Sequence, residues 1–400
     1  MNEVAKAARR QAALDAVERL RGVVVAGAEE AERLRTLPRA TVEALRASRL
    51  FALAAPEAVG GDELGAVVQL EVFEAMTRID TSAGWALLIG SMTAALAGAY
   101  LGEAAMPRIF GTERWPIVAG LQAPNGVAVP VPGGYRVNGR WGWGSGVRHA
   151  DWVFTAAILA SDGPPSGAVG GPPPMLSVAV PTKDLVLEDT WYASGLRGSG
   201  SCHYGMVDLF VPSEQTCPFP AAPPLRGGPL YRMPLVAFLG AAHMGFALGA
   251  ARRALDEVVA TSQTRVRLWS QSPALHHAPL HMDLGRAEAR LAAARAYSVA
   301  ALSDAERAME EGRALSAAEW SAVRLATTYA TDVAADVVTV AFRQAGGAAL
   351  FEANALQRYF RDIHAATQHV AATDDAYEHA GRLLVGLGAP HPMMAPRPEP

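Results

Sequence analysis

The 400-residue chain is predicted to be an α+β protein in three parts: helical, then β, then helical again. Three observations predict this. Apolar residues recur at helical spacing up to about residue 115. Short β-branched and aromatic runs, separated by Gly, Pro and Asn, fill 116–222. Long helical patterns return over 223–387, and a Pro-rich tail, 388–400, closes the chain.

In the first part, residues 4–27, 29–47 and 64–79 are rich in Ala, Leu and Arg/Glu at helical spacing. Asp80, Thr81 and Ser82 can cap a fourth helix over 83–100. The apolar stretch over 83–101, at about 19 residues, could just span a bilayer. It reads instead as a buried helix of a soluble protein, and no membrane partner is expected. The second part places candidate strands at 117–121, 134–143, 152–159, 176–181, 185–191 and 205–211, a spacing typical of an antiparallel barrel or sandwich. A Gly/Pro-rich excursion over 161–174 is expected to be a loop. The third part holds four helical segments, 234–268, 280–311, 316–345 and 354–387, which predict a four-helix bundle. Ser316 with Glu319 reads as a capping box, and Gly346 with Gly347 as a helix stop.

Composition excludes several classes. Half of the residues are hydrophobic and 18% are charged, which predicts a large interior or an oligomer interface. A net charge of −4 gives no basis for nucleic-acid binding. Cys202 and Cys217 are isolated thiols, and the N-terminus is charged and amphipathic rather than a signal peptide, so a cytoplasmic protein is expected. Gly198–Ser199–Gly200 starts a dinucleotide fingerprint, but His203 occupies the third glycine position, so no internal NAD(P)H site is expected. His276, His277 and His281 have Pro279 among them and no matching carboxylates; they read as a loop cluster, and no metal site is expected.

Three runs carry a family resemblance: GGYRVNGRWGWGSGVRHADWV (133–153), DTWYASGLRGSGS (189–201) and GGAALFEANALQRYFRD (346–362). In this order they resemble the acyl-CoA dehydrogenase superfamily across nearly the whole chain. The resemblance implies an N-terminal helical domain, a central β domain against the flavin and a C-terminal four-helix bundle. Ala254–Leu255–Asp256–Glu257 with Arg265 resembles the first bundle helix, whose arginine binds flavin phosphate in relatives.

The departures point to different chemistry. A dehydrogenase of this family needs a carboxylate to remove a proton. In the commonest subgroup it stands nine residues after the arginine of the Arg-Asp pair, which here is Val370. The alternative position lies in the first bundle helix, and residues 231–255 contain no Asp or Glu. His369 stands instead, eight residues after Arg361. In this the chain resembles the two-component flavin-dependent monooxygenases on the same fold, and its wording is closest to the phenolic and steroid-catabolic hydroxylases. Such enzymes take reduced flavin (FMNH2 or FADH2) from a separate NAD(P)H:flavin reductase and use O2 through a C4a-hydroperoxyflavin. N-hydroxylation of an amine or amino sugar, and an acyl-CoA dehydrogenase with a relocated base, are the alternatives; a homologue that has lost flavin is a third.

The resemblance assigns roles residue by residue. His369 is the expected base toward a phenol, with a pKa near neutrality. Ser145 is the expected contact to flavin N5 through its hydroxyl or backbone. Trp143 and Trp191 are expected to wall the flavin or substrate cavity, with buried β core as the other reading. Arg197 and Ser199, in the Gly-x-Arg-x-Ser pattern, and Arg265 and Arg343 are expected on the cofactor, the last two through its phosphate across a subunit interface. Gly346 and Gly347 would allow close backbone approach to it. His364 is a further candidate for the substrate pocket. A homotetramer formed through the bundles is implied.

Overall fold

The computed structural model describes residues 3–160, 173–219, 223–266 and 271–388. The excursion expected over 161–174 and the tail expected over 388–400 fall largely outside them. Helices α1 (Glu3–Leu34), α2 (Arg39–Ala47), α3 (Ala66–Ile79), α4 (Thr81–Tyr100) and the short α5 (Met106–Ile109) come first. Eight strands follow: β1 (Val118–Ala119), β2 (Gly126–Val131), β3 (Gly134–Gly144), β4 (Trp152–Leu159), β5 (Met175–Pro181), β6 (Val186–Glu188), β7 (Cys202–Pro212) and β8 (Thr216–Phe219). Helices α6 (Leu235–Thr264), α7 (Ala278–Glu310), α8 (Ala317–Ala345), α9 (Ala355–Ala366) and α10 (Asp375–Leu384) complete the chain.

Residues group into two compact units. One contains α1, α2, most of α4, and the strands; the other contains α3, the first residues of α4, the 193–196 turn and helices α6 to α10.

In the first unit α1 continues to Leu34 instead of stopping at residue 27. The chain breaks at Arg35, which takes φ +56°, and restarts after Pro38 at the N-cap of α2. The sheet runs β6-β7-β3-β2-β4-β5-β8, with β1 beside β4. It is mixed: β1 and β2 both pair with β4 in parallel, against the antiparallel pairing expected. Alternation along a strand reports which face is buried and carries no information about a neighbour's direction, so sequence could not see this. Strands β4 and β5 are buried on both faces over most of their length.

In the second unit, α3 and α6 approach backbone to backbone. A Cβ on Gly245 would lie 2.3 Å from Leu70 O, and one on Gly249 2.4 Å from Glu74 O. Gly245 and Gly249, one turn apart, therefore form the contact stripe. A Gly245→Val variant should lose at least about 2 kcal/mol of stability, because backbone on α3 cannot move aside as a side chain can; chemical denaturation measures it. The capping box of α8 is present, with Ser316 Oγ accepting from Glu319 N–H and the Glu319 carboxylate accepting from Ser316 N–H. The helix expected over 354–387 is two helices. Residues 367–374 separate α9 from α10 and include Thr367, Val370, Thr373 and Asp374, which are poor helix formers. His369 lies in this connection and not on a helix. Helix α4 is long and apolar enough to cross a membrane, yet 94% of its apolar window is buried within the protein.

Candidate active site

In the sheet-bearing unit, the end of β3 re-aims one tryptophan. Trp141 is fully buried, donates its Nε1–H to Ala156 O at 2.9 Å and stacks on Tyr204 at 5.7 Å. Strict alternation would send Trp143 to that same interior face. Instead the β3–β7 register shifts between Trp141 and Gly144, and Trp143 takes φ +53°. A bulky residue adopts that conformation only where its surroundings enforce it. Trp143 is turned outward and is 64% exposed.

A chain of serines holds the turn beyond it. Trp85 on α4 donates Nε1–H to Ser145 Oγ at 3.0 Å. Ser145 Oγ lies 2.8 Å from Ser201 Oγ, which lies 2.7 Å from Ser199 Oγ, and Gly146 N–H donates to Ser199 O at 2.9 Å. The first two sequence runs thus meet through hydroxyls. Ser145 is buried and one lone pair of its oxygen is committed to Trp85. Arg197 opens the adjoining turn, and its buried Nε has no hydrogen-bond partner among the described residues. Asp189, the first residue of that run, is held by Arg35, Arg148 and Tyr192 Oη. Arg35 and Tyr192, which hydrogen-bond to it, lower its pKa to about 2. Trp191 packs on the β core formed around Trp141 and Tyr204.

In the bundle-bearing unit, the Arg-Asp pair of α9 clamps the 193–196 turn. Asp362, fully buried, accepts from Leu196 N–H at 2.5 Å and from Thr81 Oγ1–H at 2.5 Å. Arg361 donates from Nη1 to Ser194 O at 2.6 Å and from Nε to Gln357 Oε1 at 2.8 Å. Between them Gly195 sits so close that a Cβ would lie 2.1 Å from Arg361 O. Asp80 caps α4 by accepting from Ala83 N–H at 2.9 Å, and Tyr359 Oη–H donates to Ile79 O at 3.1 Å. The second and third runs therefore meet in one packed clamp.

Seven residues beyond Asp362 the chain places His369. Its ring lies parallel to that of His243 on α6, with centroids 5.0 Å apart and planes at 14°. Ala371 N–H donates to His369 Nδ1 at 3.3 Å, which leaves the proton of the neutral ring on Nε2. Burial pushes the pKa of His369 down to about 4 and that of His243 well below its usual value, the neighbouring His369 adding to the second. A group titrating near neutrality was expected at His369; the surroundings keep the ring neutral instead. His243 was missed by the sequence reading, which sought carboxylates in this helix. The signal was present: His243 is the one polar side chain between Leu235 and Arg252.

Arg265 ends α6 and donates from Nη1 to Gln344 O at 2.7 Å. A Cβ on Gly346, which has φ +62°, would lie 2.6 Å from Arg265 Nη2, so the close approach at this glycine is to Arg265. A small cleft of about 30 Å³ beside it is lined by Thr261, Ser262, His277 and Gln344. Gly347 and Arg343 are exposed, and a Cβ on Gly347 would meet nothing within 4 Å. His364 is exposed on α9, with Nε2 3.2 Å from Thr339 Oγ1 and its ring edge-on to Phe360. His281 Nε2 bonds the Leu275 carbonyl at 2.6 Å.

These features define a flavoprotein of the acyl-CoA dehydrogenase class whose bundle carries paired imidazoles. Residues 8–108 match the acyl-CoA dehydrogenase N-terminal domain family and residues 241–374 the acyl-CoA dehydrogenase C-terminal domain family. A pigment production hydroxylase from Rhodococcus sp. is 30% identical over 394 residues, covering 94% of this chain and 98% of that protein. The oxygenase component of an FADH2-dependent resorcinol hydroxylase from Rhizobium sp. is 28% identical, covering 90% of each chain. The structure of XiaF from Streptomyces sp. in complex with FADH2 and glycerol aligns with a TM-score of 0.89 at 29% identity, covering 97% of this chain and 98% of that one. The chain belongs to the acyl-CoA dehydrogenase superfamily, in its flavin-dependent monooxygenase branch.

Proposed function

We propose that this protein is the oxygenase component of a two-component monooxygenase that hydroxylates a phenolic or related aromatic substrate with O2 and reduced flavin, supplied by a separate NAD(P)H:flavin reductase. The observation that carries this reading is the His243–His369 pair. One imidazole stands beside the vacant glutamate position, Val370, and the other on the helix that carries the alternative carboxylate in relatives.

The residues fit a flavin. Trp143 offers an exposed indole face, Arg197 a buried donor without an acceptor among the described residues, and Arg265 a guanidinium of which one N–H is tied to Gln344. In this reading Arg197 and Ser199 contact the cofactor of their own subunit, while Arg265 and Arg343, with Gly346 and Gly347 beside them, take a flavin phosphate across a subunit interface. Ser145 faces N5 and Trp143 covers the ring. Trp191 and His364 are the weaker candidates, because one packs into β core and the other hydrogen-bonds Thr339. Bound reduced flavin supplies the activation of O2. Exposed Leu350 and Phe351, which follow Gly346 and Gly347, suit an interface between copies in a homotetramer.

Magnitudes decide what His369 does. A base with a pKa of about 4 would take a phenol proton from a group near pKa 10, roughly 8 kcal/mol uphill. Donating Nε2–H to the substrate oxygen, and so stabilising the phenolate left when its proton passes to water, is the role that the geometry supports. The phenolate is the better nucleophile toward an electrophilic oxygen.

The test is reconstitution with a flavin reductase, NADH, either flavin and a panel of phenols under 18O2. One labelled oxygen per product is expected. A protein that gives no product, and whose bound oxidised flavin is bleached by an acyl-CoA, would be a dehydrogenase.

A further inference from the structure

Ser145, Ser201 and Ser199 form one run of hydroxyls, and counting hydrogens fixes the direction in which it runs. Gly200 makes the run possible. It takes φ +61°, and a Cβ there would lie 2.8 Å from Thr36 Oγ1. This left-handed turn brings the hydroxyls of Ser199 and Ser201 to 2.7 Å. On an extended strand, residues two apart are separated by about 7 Å.

Each hydroxyl has one hydrogen and two lone pairs, whereas the Trp85 indole N–H is a donor only. Its bond fills one lone pair of Ser145 Oγ. If Ser201 donated to Ser145, the second lone pair would be filled as well. The Ser145 hydroxyl hydrogen, in a side chain that is buried, would then have no acceptor among the described residues. A buried donor without an acceptor is rarer and costlier than an oxygen with one open lone pair. Ser145 therefore donates to Ser201. Ser201, also buried, keeps its own hydrogen bonded by donating to Ser199. The run goes one way and leaves one lone pair of Ser145 Oγ open. The backbone N–H of Ser145 is spent on Trp143 O at 2.8 Å, so the hydroxyl oxygen is what this residue offers a ligand.

Reduced flavin carries a hydrogen on N5, and oxidised flavin a lone pair. An open lone pair on Ser145 Oγ accepts from the first and opposes the second. We propose that Ser201 is a positioning residue: by taking the Ser145 hydroxyl hydrogen, it keeps Ser145 Oγ an acceptor for N5–H and makes the site select reduced flavin. The inference rests on the placing of Ser145 at N5 in the reading above. It adds to that reading a residue that acts through Ser145.

The test is the ratio of two dissociation constants, from anaerobic titration with reduced flavin and aerobic titration with oxidised flavin, using FMN and FAD. In Ser201→Ala the Ser145 hydrogen loses its acceptor and turns to N5 of oxidised flavin. Reduced flavin should bind several-fold more weakly and oxidised flavin no more weakly than before. The preference should fall about ten-fold, the scale of one hydrogen bond. Ser201→Thr, which keeps the hydroxyl, should hold the preference within about two-fold. Ser145→Ala should lose it as Ser201→Ala does, and the Ser145→Ala/Ser201→Ala pair should lose no more. A serine that only supports the fold would weaken both redox forms alike, so equal losses in Ser201→Ala overturn the inference, as does an unchanged preference. A second measurement needs neither variant nor flavin: neutron diffraction from deuterated crystals of the wild type. Deuterium on Ser145 Oγ aimed at Ser201 is expected; deuterium on Ser201 Oγ aimed at Ser145 overturns the inference. A wild type that prefers reduced flavin yet makes no product with O2 sinks the oxygenase reading alone, and one that binds neither redox form removes both.

Discussion

An Asp362→Ala variant unfolds at a clearly lower urea concentration than the wild type, with an expected loss of about 2–5 kcal/mol. The carboxylate is fully buried and answers two donors from distant segments, Leu196 N–H and Thr81 Oγ1–H. Truncation leaves both buried without an acceptor, each costing about 1–3 kcal/mol. The loss is not confined to those two bonds, because Asp362 joins α9 to the start of α4 and to the 193–196 turn, whose Leu196 takes φ +51°. Asp362→Asn keeps one oxygen acceptor and should lose about half as much. Thr81→Val in the Asp362→Ala background should add little, since the interaction is already gone. Additive losses in that pair would show that the carboxylate and the hydroxyl do not share one interaction.

His369→Ala is expected to leave flavin affinity within about two-fold and to lower the rate of product formation by about 10²-fold, with NADH oxidation diverted to hydrogen peroxide. His369→Asn, which keeps an N–H donor of similar reach, should recover part of it. The pH profile tests the role. The folded pKa of about 4 lies below the ordinary 6.5, so the ring stays neutral across the range where the enzyme would be assayed. Product formation should therefore show no acid limb from His369 between about pH 5 and 8. In stability the sign runs the other way from an ion-paired histidine. The unfolded chain binds the proton first, so the folded state loses stability as pH falls from about 6.5 to about 4, and the His369→Ala variant should lose less over that window. An acid limb near pH 6.5 that disappears in His369→Ala would return the residue to the role of a general base.

Local pattern was enough for the order of helices, strands and helices, while the departure from the dehydrogenase came from the family resemblance. Helical spacing and the Ser316–Glu319 box depend on neighbours within a few residues; the box is present, and the helices are too, except that breaks at Arg35 and over 367–374 divide two of the expected segments differently. His369 could be found by counting from Arg361 because the resemblance supplies the offset, and the Arg-Asp pair it counts from is bolted to Ser194–Gly195–Leu196. Tertiary structure alone decided the rest. A bulge turned Trp143 out and left Trp141 in, although strict alternation places both on one face. The parallel pairing of β2 with β4, the serine chain from Ser145 to Ser199, and the reason for Gly346 all join residues far apart in the chain or hidden by period-two pattern. The pairing of His243 with His369 spans 126 positions between α6 and the α9–α10 connection. Which ring meets which follows from how helices pack, and so does the loss of solvent that keeps both neutral; a histidine in an apolar run carries neither by itself.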